Sequence, residues 1–207
     1  MKKKVLGISL ILLVIGVGNA FAAGLGNIQY WYSDKSEIGR WGTTPKVWYG
    51  TLDSSMTQLT LDGHVTHARS QWNSAGVTNS YTSDFNSSHI RFRSGTYTSI
   101  KKIEPGIENG DTGLTKRSPA TEFLEGYWYY LGNYPKSGKK ISGPVYIYLV
   151  TGNRTSAAYR NTATHELGHG LGYFGHSSNK KNVMYGAATE ITTLTSDDKV
   201  HLNQIYK

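Results

Sequence analysis

His165, Glu166 and His169 are the residues of this 207-residue chain whose types and spacing can do chemistry. On a helix, positions four apart lie one turn above the other on one face. The two imidazoles can therefore converge on one metal ion, while Glu166 reaches a metal-activated water without ligating the metal itself. Zinc suits such a site. It takes tetrahedral geometry with imidazole nitrogens at about 2.0–2.1 Å, and a catalytic centre uses three protein ligands and leaves the fourth position to water. The third ligand must then come from beyond the helix. Gly172 can end that helix, because glycine takes the left-handed conformation that closes a last turn, and His176 is the next residue able to bind metal. Glu190, the nearest downstream carboxylate, is the alternative. With the His and Glu content of this chain, an accidental H-E-x-x-H is expected only roughly 0.008 times.

The helix has reasons to be functional beyond these three side chains. Gly168 and Gly170 fall inside it, where each costs about 1 kcal/mol relative to alanine, a conflict with propensity that is expected at functional sites. Leu167 and Leu171 lie roughly half a turn from the histidines and give the helix an apolar back.

The stretch 165–176, H-E-L-G-H-G-L-G-Y-F-G-H, followed by Val183, Met184 and Tyr185, resembles the metzincin zinc endopeptidases. Its flanks are most similar to the matrixin branch, as found in small secreted bacterial proteins. The family pattern is H-E-x-x-H-x-x-G-x-x-H with a methionine-containing turn downstream. Gly175 stands where the last histidine of that pattern falls, and the imidazole is one place later, at His176. The resemblance implies a zinc-dependent endopeptidase acting on protein or peptide substrates, with Met184 as an apolar floor beneath the metal. It also allows structural calcium, for which Glu104, Glu108 and Asp111 are the available carboxylates, without EF-hand spacing. Tyr185 directly follows the methionine, whereas branches that use a tyrosine near the metal place it two residues after, so it receives no catalytic role. Two rivals stand beside this reading. One is a catalytically inactive zincin-fold binding or adhesion module at the cell surface, against which the intact Glu166 counts. The other is a thermolysin-like arrangement with Glu190 as third ligand.

The elements that must position these residues read as one α+β, zincin-like domain with a mixed twisted sheet, an active-site helix and a C-terminal helix. A strand is expected over 45–51. Leu61, Val65, Ala68 and Trp72 then recur at spacings of four, three and four, which predicts an amphipathic helix over 57–75. His64 and His67 fall in that helix and could pair around a metal, but no third ligand is in sight and an exposed face is the simpler reading. A half-buried strand is expected over 88–93, a loop-rich stretch over 94–117, strands over 127–131 and 145–150, and turns over 133–143 between them. The strand at 127–131 is the candidate edge for pairing with an extended peptide. The zinc-motif helix is expected over 155–172. A final helix starts at Thr195, with Asp197 and Asp198 in the first turn, where they suit the positive end of its dipole.

The N-terminus has the three parts of a secretory signal peptide: Lys2 to Lys4, an apolar run over 5–17, and Ala20-Phe21-Ala22. The expected organisation is a signal peptide over 1–22 and a metallopeptidase domain over 23–207, secreted as extracellular or cell-wall-associated protein, monomeric and without stable membrane insertion. Removing three lysines takes the formal charge from +8 to +5. That is modest, and no nucleic-acid motif accompanies it. There is no cysteine, which excludes disulfides, a thiolate zinc site and latency through a propeptide cysteine.

Overall fold

The computed structural model describes residues 38–118, 122–131, 134–173 and 175–206. The expected signal peptide over 1–22, the expected mature start at Ala23, and Phe174 lie outside the described residues. The domain is a mixed α/β unit around a five-stranded sheet formed by β2 (Lys46–Thr51), β3 (Ser80–Tyr81), β4 (Ile90–Thr96), β5 (Gly113–Arg117) and β8 (Val145–Thr151). Their order is β3-β2-β4-β8-β5, with every pair parallel except β5, which runs antiparallel to β8. A second, three-stranded sheet joins β1 (Ile38–Trp41), β7 (Tyr134–Ser142) and β6 (Glu122–Leu131) in the order β1-β7-β6.

The large sheet is covered on one face by α1 (Gln58–Ser74) and α3 (Ser156–Leu171). Strand alternation places Val145, Ile147 and Leu149 on this inner face, where they are fully buried with Val47, Ile90 and Phe92. The α1 stripe of Leu61, Val65, Ala68 and Trp72 packs on them as the periodicity predicts, and Thr57 caps the helix by accepting a bond from the Thr60 N–H (3.1 Å). On the other face, Tyr148 and Val150 form a smaller cluster with Ile100 and Ile107, under the short α2 (Tyr97–Lys101) and the loop after it.

Three expectations need correction. The stretch expected as turns over 133–143 holds a strand, β7 (Tyr134–Ser142), because its backbone pairs on both sides with β1 and β6 although Ile141 is its only aliphatic residue. The stretch 94–117 contains β5 as well as α2. His64 is not on an exposed helix face: it is buried and stacked on Tyr159 with ring centroids 5.4 Å apart.

The C-terminal helix α4 (Ser196–Tyr206) closes the domain beneath α3. His201 stacks on Tyr173 at 4.0 Å, and burial pushes its pKa down from 6.5 to about 4. Between those values the unfolded chain binds a proton that the folded chain refuses. The stability carried by the neutral ring is thus complete above pH 6.5 and is lost as pH falls toward 4. Other buried histidines add to the acid sensitivity of the protein, so the comparison between variant and parent isolates this ring. Replacing His201 with Phe should shrink the loss of unfolding free energy between pH 7 and pH 4 by roughly 3 kcal/mol, read from urea denaturation at the two pH values.

Candidate metal and catalytic site

The site is built on the last two turns of α3. Thr155 caps the start of this helix, its hydroxyl accepting from the Ala158 N–H (3.1 Å), and Gly172 closes the end with φ 110°. A helix buried at its C-terminus must find partners for its last four carbonyls. Here the Tyr173 N–H donates to Gly168 O (2.8 Å) and the Gly172 N–H to His169 O (3.0 Å). The Trp41 indole donates to Gly170 O (2.8 Å) and the Tyr206 hydroxyl to Leu171 O (2.6 Å). The two glycines inside the helix have a packing reason. A Cβ on Gly168 would sit 2.7 Å from both Met184 Sδ and the Trp72 ring, and one on Gly170 would sit 3.1 Å from Ile147 Cδ1.

His165 and His169 project from this helix, and His176 joins them: one ligand nitrogen from each lies within 4.8 Å of the others. The His165 Nδ1 faces Val183 O at 2.9 Å and the His169 Nδ1 faces Tyr173 O at 2.7 Å. A carbonyl can only accept, so both rings carry their proton on Nδ1 and present a bare Nε2 to the site. Burial holds both imidazoles below the ordinary histidine range, with the neighbouring His165 adding to the effect at His169. Yet the two Nε2 atoms stand 3.0 Å apart. Two lone pairs at that separation repel unless a cation lies between them, and a third imidazole completes a donor set suited to zinc.

His176 reaches the cluster because Gly175 takes φ 83°, a left-handed turn that absorbs the extra residue. Its ring centroid lies 5.1 Å from those of both His165 and His169. The next residue is anchored, the Ser177 N–H donating to Met184 O (2.7 Å). Met184 is fully buried under the helix. The turn at 183–184 is itself held by Asp198, whose fully buried carboxylate accepts from the Val183 N–H (3.0 Å), the Met184 N–H (3.2 Å) and the Thr195 N–H and hydroxyl (both 3.0 Å). Asp198 thereby fixes the residue whose carbonyl orients His165.

Glu166 lies beside the histidines at the floor of a cleft of about 520 Å³, whose other wall is β5. The Thr115 hydroxyl lies 2.6 Å from Glu166 Oε2 and 2.9 Å from its main-chain oxygen. Burial pushes the carboxyl up to about 7, against the lowering effect of the Thr115 bond. The strand comes this close because residue 113 is glycine: a Cβ there would meet Glu166 Cγ at 2.8 Å and Oε1 at 2.9 Å. A strand therefore does flank the cleft, but it is β5. The expected edge at 127–131 belongs to β6 in the smaller sheet.

The remaining candidates do not converge. Glu190 accepts a hydrogen bond from Thr155 at the opposite end of α3, which removes it as third ligand. Glu104 is ion-paired with Lys116, and Asp111 accepts from the Glu108 N–H (2.8 Å). Among the described residues the three carboxylates form no metal-holding group, so calcium finds no support. His67 Nε2 is occupied by Thr192 O (2.8 Å). Sequence reasoning missed Gly113, Thr115 and the inward role of Asp198. For the last a signal existed: Thr195-x-x-Asp198 is a capping-box spacing, and the two residues do bond reciprocally.

The family model for matrixins matches residues 52–207. The chain belongs to the matrixin family. No curated protein matches it. Matrixins are zinc-dependent peptidases with the metzincin fold, and the mixed sheet, the histidine-bearing helix and the methionine turn of this matrixin are that fold. As a matrixin it is expected to meet peptide substrates, and no helix among its described residues is long and apolar enough to cross a membrane.

Changing Asp198 to Asn in this matrixin would turn an amide donor toward main-chain N–H groups inside the fold. The substitution should lower stability by about 2 kcal/mol in urea titration. It should also weaken zinc binding roughly tenfold by freeing the carbonyl that orients His165, read by titration against a competing chelator.

Proposed function

We propose that the protein is a secreted zinc-dependent endopeptidase in which His165, His169 and His176 hold the metal and Glu166 is the general base. The observation that carries this reading is the 3.0 Å approach of two unprotonated Nε2 atoms, with a third imidazole and a buried carboxylate in the same cleft. Zinc, when bound there, acidifies a water molecule and polarises the scissile carbonyl.

The chain's own residues supply the rest. Glu166 takes the proton of the attacking water and returns it to the leaving amine, and a carboxyl poised near neutrality suits both transfers. Thr115 keeps Oε2 in place, leaving Oε1 for the water. Among the described residues β5 has β8 as its only strand neighbour, so its outer edge is available to an extended peptide by strand addition. Such a peptide would lie along the cleft within reach of Glu166 and the histidines. The lysine-led apolar N-terminus supports export, with a mature domain over 23–207 that acts as a monomer outside the cell or at its wall.

The test is zinc content together with cleavage of a mixed peptide library. The mature protein should hold one zinc per chain and cleave. Glu166→Ala should keep the metal and lose about a thousandfold in kcat/KM. Zinc bound with cleavage that does not depend on Glu166 rejects the proposed base, and zinc bound with no cleavage at all leaves a binding module. His176→Ala should lower zinc affinity by at least tenfold, and an unchanged affinity removes it as the third ligand.

A further inference from the structure

The outer face of the five-stranded sheet, opposite α1 and α3, carries a second cavity of about 700 Å³. Arg93, Lys116 and Arg117 line it together with Tyr146 and Tyr148, and its one carboxylate, Glu104, is committed to Lys116. The register pairs Arg91 with Tyr146 and Arg93 with Tyr148, so two guanidiniums and two stacked phenol rings share this face.

The two arginines differ. Arg91 is consumed by the fold, donating to the Tyr146 hydroxyl (2.9 Å), Ser88 Oγ (3.1 Å) and Asn86 O (3.4 Å). The Arg93 guanidinium lies over the rings of Phe85 and Tyr146, 5.3 and 5.6 Å from their centroids, and its buried Nε has no hydrogen-bond partner among the described residues. A buried N–H without an acceptor costs free energy. Arg91 stacks on the same two rings and adds like-charge repulsion. An anionic group in the cavity would offset the repulsion between the two guanidiniums, and a carboxylate matches the fork of a guanidinium.

The cavity adjoins the catalytic cleft across β5, because Lys116 and Arg117 of that strand line both. Thr115 faces Glu166, so strand alternation turns Lys116 to the outer face. A polypeptide held along β5 can therefore reach both sides of the strand without letting go. We propose that the outer groove is an exosite for an acidic segment of the polypeptide substrate, received chiefly by Arg93. The proposal rests on the peptidase reading above.

Two fluorogenic peptides with the same cleavable core test it, one extended by a Glu- and Asp-rich segment and the other by Gln and Asn, with the extension tried at either end. The acidic extension should lower KM about fivefold at low salt with kcat unchanged, and the gain should vanish at 1 M salt. Arg93→Gln should abolish the gain while leaving kcat/KM for the unextended core peptide unchanged, and Arg93→Lys should keep most of it. Equal KM for both extensions, or a gain that survives in Arg93→Gln, overturns the exosite and leaves the peptidase reading intact. Fluorescence anisotropy of the labelled acidic segment on the Glu166→Gln protein reads binding without cleavage. Arg93-dependent binding by a parent protein that cleaves nothing overturns the peptidase reading instead. Tighter Arg93-dependent binding of sulfated dextran than of the acidic peptide reassigns the groove to an anionic glycan and overturns the proposal.

Discussion

Imidazoles aimed at one point repel one another, and much of this domain holds them there. The Nε2 atoms of His165 and His169 are 3.0 Å apart with no proton between them, so their approach must be enforced from behind, through Nδ1. The carbonyls that do so, Val183 O and Tyr173 O, are each fixed in turn. Val183 is held through its N–H by Asp198 of α4, while Tyr173 is held by its N–H on Gly168 O and by its ring on His201, also of α4. The C-terminal helix is thus the support against which both rings are braced. A surface helix with the same dipole would satisfy the sequence pattern but could not do this.

The glycines of α3 show which effect wins when propensity and packing disagree. Each glycine inside the helix costs about 1 kcal/mol against alanine. Alanine at 168 would instead put a methyl group 2.7 Å from Met184 Sδ and from Trp72, whose indole is pinned to Thr164 O at 2.8 Å and cannot withdraw freely. Gly172 is more constrained, since a Cβ there would approach the backbone oxygen of Gly39 to 2.5 Å at a φ that side chains rarely adopt. Overpacking of this kind costs about 1–3 kcal/mol, so the close approach of α3 to its neighbours outweighs the lost propensity.

The three longer helices, α1, α3 and α4, and most of their ends were legible in the sequence because the signals are local; the five-residue α2 was not. The stripe from Leu61 to Trp72, the caps Thr57 and Thr155, and Gly172 all act within a turn or two. The His165, Glu166 and His169 group was legible for the same reason, and His176 followed from proximity in the chain. β5 was hidden because Gly-Leu-Thr-Lys-Arg has a single aliphatic residue, Leu114, and its alternation separates Thr115 and Lys116 by function rather than by hydropathy. β7 was hidden by Pro135, Gly138 and three lysines, its pairing being a property of backbone rather than of side chains. Thr115 meets Glu166 across 51 residues, and Asp198 meets Val183 across 15, spacings with no periodicity to reveal them.

β5 links the Glu166 carboxyl to the wall of the cleft. It buries the Glu166 carboxyl, and that burial raises its pKa. It also supplies the hydroxyl that partly offsets the shift, and its outer edge borders the same cleft. These functions cannot be separated by sliding the strand: a shift of one residue would exchange Thr115 for Leu114 or Lys116 beside Glu166, leaving the carboxyl without its acceptor-matched hydroxyl or facing an ammonium that would hold it ionised. Gly113 admits the strand at the required depth, and the ladder from Gly113↔Leu149 to Arg117↔Val145 sets its register. The environment of the Glu166 carboxyl is therefore set by the pairing of β5 on β8.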